Sequence, residues 1–186
     1  MELLIQHITQ KCLQENLLEE DQAEWFRYSL ERRIRNIGGF SLMIAFGSLL
    51  APLPQVLVLN LALAFLRSKT NGLHMPTPAT CCVVSLALEV VCLDLLRYAP
   101  GGVLLALCIV STGLLLWLAP YNNKALHLTA EEKAQLRIDV RKRLAVYLAA
   151  AAVLLVAVPV YAHVLMVAET AVALLVVLAK LKFGIQ

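Results

Sequence analysis

The sequence predicts an all-α, polytopic membrane protein: about six hydrophobic helical segments preceded by an amphipathic N-terminal helix. Three observations carry this. Of the 186 residues, 60% are hydrophobic and only 16% charged, and mean hydropathy is +0.76. A soluble domain carries about a quarter charged residues and roughly half apolar ones. Long stretches hold no charge, and Lys and Arg gather in alternate connections between them. The net charge of +3 is too modest to suggest a nucleic-acid partner. Five cysteines, an odd number with at least three in or beside apolar runs, imply no disulfide framework. Nothing at the start reads as a signal peptide.

The elements follow in order. Residues 25–37 alternate Arg27, Glu31, Arg32 and Arg35 with Trp25, Phe26, Leu30 and Ile34. That is helical periodicity with a basic face, suited to lying on an anionic lipid surface. Residues 37–66 carry no charge over 30 positions, longer than the roughly 20 a spanning helix needs. Pro52 and Pro54 interrupt the run, which reads as two short helices, 36–51 and 55–66, with one long kinked helix as the rival. Residues 81–98 form a third apolar segment carrying Glu89, Asp94 and Arg97, and 101–119 a fourth. Thr129-Ala-Glu-Glu132 is a capping box that starts a helix through Lys133, Arg137, Arg141 and Arg143 into the fifth segment. Residues 144–179 hold a single charge, Glu169, and Pro159 divides them in two. The whole is one domain over 1–186: an N-terminal region 1–35, paired helices 36–66, a polar loop 67–80, two spans 81–119, a basic loop 120–143 and two spans 144–180.

Charge orients these segments. With six, the N-terminal arginines, Arg67 and Lys69, the 124–143 loop, and Lys180 and Lys182 all fall on one side. By the positive-inside rule that side is the cytoplasm. A multi-pass cell-membrane protein with both termini cytoplasmic is expected.

The polar loop concentrates the chemistry. It offers His74 and Cys81, seven positions apart, where a helix meets water. A thiol needs a nearby base to become thiolate at neutral pH, and imidazole is the usual one. Pro76 and Pro78 keep His74 out of any helix. Thr77 can then act as N-cap with Pro78 as first helical residue, which puts Cys81 in the first turn, where a helix dipole favours thiolate. By spacing alone the pair is weak: a loop histidine and a small apolar thiol would look the same. Cys82, one residue on, points about 100° away, so only one of the two can face His74. Arg67 reads equally as a positive-inside anchor or as part of the site. Gly72 permits a backbone turn that a side chain would block. Glu89 lies about 12 Å deeper on roughly the same face, suited to structural pairing, although intramembrane acids are often functional. Asp94 is expected to pair with Arg97 or meet water. No histidine or cysteine spacing matches a structural zinc site.

The pattern Arg67-x4-Gly72-x-His74-x-Pro76-x4-Cys81 resembles the accessory gene regulator B (AgrB) family of membrane cysteine endopeptidases of Gram-positive quorum sensing. Ala119-Pro120-Tyr-Asn-Asn-Lys124, leading into the basic loop, and an amphipathic N-terminal region ending in Arg-Asn-Ile-Gly38 are similar to the same family. The chain departs from many relatives in having Asn71-Gly72 and Leu73 before the histidine, which bears on substrate preference more than on chemistry. The resemblance implies Cys81 as nucleophile and His74 as base, with Arg67, Gly72, Lys124, Lys133 and Arg137 binding substrate or supporting the site. It implies an AgrD-like propeptide as substrate, a homodimer in contact with membrane lipids, no metal and no cofactor. Two other classes fit the composition: a small transporter using Glu89 and Asp94 as pathway groups, and a non-catalytic membrane protein docking a partner on its basic helices.

Overall fold

A computed structural model describes residues 2–15, 17–70, 72, 73, 75, 77–121 and 129–181, without the side chains of 2–4 and 20. Among these the secondary structure is helical throughout: α1 (Glu2–Gln14), a 3₁₀ turn (Glu20–Gln22), α2 (Ala23–Gly47), α3 (Leu53–Thr70), α4 (Pro78–Tyr98), α5 (Gly101–Leu118), α6 (Ala130–Ala157) and α7 (Pro159–Lys180). The chain divides into two compact units, Met1–Leu42 and Met43–Gln186.

The first unit holds α1 and most of α2. Thr9 returns its hydroxyl to the Ile5 carbonyl at 2.8 Å. Arg35 pairs with Glu31 one turn back, and Trp25, Tyr28 and Ile37 are exposed. Apolar rings beside a basic face are what an interfacial helix presents to lipid.

In the second unit the break at Pro52–Pro54 separates two helices, as the prolines require. Leu50 and Ala51 donate to the Gly47 carbonyl, and Gln55 and Val56 to that of Pro52. The expected boundary at residue 36 is absent, because nothing between Arg35 and Ile37 stops a helix and α2 runs through it.

The last helix is the axis of this unit. α3, α4, α5 and α6 all pack on α7, and 72% of its apolar window is buried, against 17% for α4 and 22% for α5. Buried polar groups fix the register. Glu169 accepts from Thr112 at 2.5 Å and from the Cys108 thiol at 3.2 Å. Tyr147 donates to the Leu165 carbonyl at 2.7 Å, and Asn60 to Glu89 at 2.7 Å. Each pairs a group that would be costly to leave bare in an apolar interior, although Glu89 Oε2 has no partner among the described residues.

Three helices, α4, α5 and α7, are long and apolar enough to cross a membrane, fewer than the six segments expected. Charge explains the difference. The apolar run of α3 stops at Arg67 and Lys69, and α6 spends its first half on charged residues as far as Arg143. Neither reaches the roughly 20 apolar residues of a full span.

The helices of this unit alternate in direction. The C-terminal ends of α3, α5 and α7 meet the N-terminal ends of α4 and α6. Lys69 bridges to Asp139 at 2.9 Å, Tyr121 donates its amide to Thr70 at 3.1 Å, and Lys180 lies 4.7 Å over the Trp117 ring. At the opposite end the Cβ of any residue replacing Gly101 would sit 3.1 Å from His163 Nε2. Arg67, Lys69, Arg143 and Lys180 thus share one end of the bundle, the grouping that loop charge predicts.

Candidate functional site

The basic end of the bundle carries a narrow cleft lined by Arg67, Leu73, Met75, Cys81, Val84, Ser85, Leu88 and Leu175. Cys81 comes to it through the start of α4. Thr77 is the N-cap: its hydroxyl accepts from the Thr80 amide at 3.2 Å, the Thr80 hydroxyl answers the Thr77 amide, and Pro78 opens the helix. The Cys81 amide then donates to the Thr77 carbonyl at 3.0 Å. The cap holds Cys81 in the first helical region, half-buried, on the face turned to the cleft. Cys82 is also half-buried but does not line it.

Arg67 reaches the site from the last turn of α3. Its Nη2 donates to the Leu73 carbonyl at 2.8 Å, so it ties down the loop from inside the cleft and does more than anchor the helix. Gly72 turns the chain with φ +144°. Leu73 is then pressed into a small cluster with Leu175 and Ala179 of α7. Three contacts therefore fix the backbone just before position 74: a guanidinium, a glycine turn and an apolar plug. The plug is a residue for which sequence reasoning noted only the lack of an aromatic ring. Its signal was an apolar side chain, with Met75 two residues on, in an otherwise polar loop. His74 and Lys124 lie outside the described residues.

The other expected groups are elsewhere. Lys133 and Arg137 are exposed on α6, away from the cleft lining. Glu89 is fully buried against Asn60 and the backbone of Gly47, where an added Cβ would sit 2.6 Å from its Oε1. This is the structural pairing expected of it. Asp94 is exposed, and Arg97 lies 5.4 Å over the Tyr98 ring. Among the described residues no cluster of His, Cys, Asp and Glu suits a metal ion. Ser85 was not picked out as part of a site, although it stands one helical turn from Cys81, a spacing that puts both on one face.

Compared with known protein families, the chain matches the model of accessory gene regulator B over residues 3–181. The chain belongs to the AgrB family. The match covers nearly its whole length, so the resemblance carried by Arg67 to Cys81 extends over the entire chain. AgrB membership ties it to accessory gene regulator peptide processing and to a peptide precursor as partner, and its three apolar helices make it a membrane protein. No curated protein and no solved structure matches it.

Proposed function

We propose that this AgrB chain is a cysteine endopeptidase that cuts the C-terminal tail from a small AgrD-like precursor and closes the remainder into a ring. Cys81, activated by His74, attacks a peptide carbonyl on the C-terminal side of the future signal. The tail leaves as an amine, and a thioester to Cys81 remains. An internal cysteine or serine of the peptide then attacks that thioester and forms a thiolactone or lactone. Transfer to an internal nucleophile competes well with water because effective molarities of well-oriented intramolecular groups reach roughly 10⁵ M or more. The chemistry needs no cofactor. Lys124, Lys133 and Arg137 would attract an acidic precursor tail, and a homodimer in the cell membrane, with both termini cytoplasmic, is the assembly proposed from the family resemblance.

The observation that carries this reading is the placement of Cys81, and not Cys82, in a cleft shared with Arg67, at the start of a capped helix. Of the two acids the transporter alternative would use, Glu89 is fully buried against Asn60 and Asp94 is exposed, and neither lines the cleft. Co-expression with the precursor is the test. Cys81→Ala and His74→Ala should each abolish cleavage with insertion intact, while Cys82→Ala retains it. Normal cleavage by Cys81→Ala would remove the proposed nucleophile.

A further inference from the structure

We infer that Ser85 supplies the hydrogen-bond donor for the oxyanion formed when Cys81 attacks its substrate; the inference rests on the peptidase reading above. The attack places charge on oxygen. A lone pair of the Cys81 thiolate forms the C–S bond and the carbonyl π pair moves onto the oxygen. That pair returns as the C–N bond breaks, and the departing amine takes a proton from the His74 imidazolium. In a water-poor site such an oxyanion needs a donor already in place.

Backbone amides are the usual source, and at the start of α4 they are spent. Pro78 has none. The Thr80 amide is held by the Thr77 hydroxyl and the Cys81 amide by the Thr77 carbonyl. The Ala79 amide belongs to a residue about 200° round the helix from Cys81. Arg67 spends one of its five N–H donors on the Leu73 carbonyl, which holds its guanidinium to the loop.

Ser85 remains. It lines the same cleft as Cys81, and at i+4 its Cβ stands about 6 Å from that of Cys81. Helical side chains lean toward the N-terminus, so its hydroxyl is directed at the sulfur's side of the cleft. Polar side chains in apolar helices commonly return to the carbonyl four residues back. Thr9, Asn60, Thr70 and Thr170 do so here. The Ser85 hydroxyl makes no such bond, nor any other among the described residues. It is an uncommitted donor beside the atom where charge develops.

The test uses the full chain in liposomes with a synthetic precursor, comparing Ser85→Ala and Ser85→Thr with the parent. Cys81 reactivity is followed in parallel by iodoacetamide alkylation in a Cys12→Ala, Cys82→Ala background. Loss of an oxyanion donor costs on the order of 100-fold or more in rate. Ser85→Ala should therefore slow single-turnover acylation by about that factor, with KM unchanged and most of the rate restored by Ser85→Thr. Alkylation forms no oxyanion, so its rate should be the same in all three. Full acylation by Ser85→Ala would overturn the inference. So would a loss matched by equally slow alkylation, which would mean that Ser85 holds the sulfur or the helix. Cleavage that survives Cys81→Ala would instead bring down the peptidase reading, whatever Ser85 does.

Discussion

Gly72 carries more of the site than its size suggests. Its φ of +144° is one that residues with a Cβ rarely adopt, and an added Cβ would rest 3.7 Å from that of Leu175. Space is adequate there, so the penalty for Gly72→Ala is backbone strain of about 1–3 kcal/mol. The expected outcome is relaxation of the loop: Leu73 leaves its cluster, the Arg67 bond is lost, and precursor cleavage falls at least tenfold with insertion unchanged. Cleavage assays on purified enzyme would check this, and wild-type rates would mean the turn is not needed. The cap at Thr77 and Pro78 was legible because side-chain caps and proline act within one turn. Helical angle allowed only one of Cys81 and Cys82 to face His74, and it was the family resemblance that pointed to Cys81. The Leu73 plug was not legible, because its partners are about a hundred residues away on α7. Ser85 lay in plain view on the correct face, but a lone serine in an apolar helix has no pattern to set it apart.

At the scale of elements, the basic half of α6 is fastened to the end of α3. Arg143 donates to the Phe65 carbonyl at 2.7 Å and to the Ser68 hydroxyl, with its guanidinium 4.8 Å over the Phe65 ring. Lys69 and Asp139 add an ion pair. The hydrogen bond from Lys69 holds the Asp139 carboxyl below its ordinary value, opposed by partial desolvation and aided by the Lys69 charge. A carboxylate depressed in the folded state stabilises above its unfolded value, and that contribution is lost as pH falls through the folded one. The Tm difference between parent and Asp139→Asn should therefore be constant near neutrality and close only below the ordinary carboxylate value of 3.8. The effect should be small, since both side chains are about a third exposed. A difference that vanished already at pH 6 would contradict it. Further toward the start of α6, Lys133 and Arg137 are exposed. Exposed charges act over a screening length of about 10 Å at 0.1 M salt. Charge reversal at both should raise the precursor KM with kcat held; an unchanged KM would assign them to topology and lipid headgroups alone. The continuous α6 was readable from its capping box and uninterrupted propensity. The run of α2 through residue 36 was not, because the change from charged to apolar composition there falls inside a continuous helix.

The whole molecule is organised by polarity end to end. The cleft, the Lys69–Asp139 pair and Lys180 share one end, and Gly101 faces His163 at the other. In the topology proposed from the positive-inside rule, the cleft end is the cytoplasmic one. A cysteine placed at position 127 should escape an impermeant reagent on intact cells, while one replacing the exposed Tyr98 should react; the reverse would invert the topology. That Arg67, Lys69, Arg143 and Lys180 share one end was legible from the spacing of charge along the sequence. The number of helices long and apolar enough to cross a membrane was not, since α3 and α6 mix apolar stretches with charged ones.

The central position of α7 sets an order in time. Translation delivers α3, α4, α5 and α6 before the helix on which they pack, and Leu175 and Ala179, which seat Leu73, come later still. Until then Cys81 stands on a helix whose cleft has no far wall. A nascent chain still tethered to the ribosome therefore holds its thiol without the loop geometry to use it. On the peptidase reading proposed above, the site would be complete only once the final helix has been inserted.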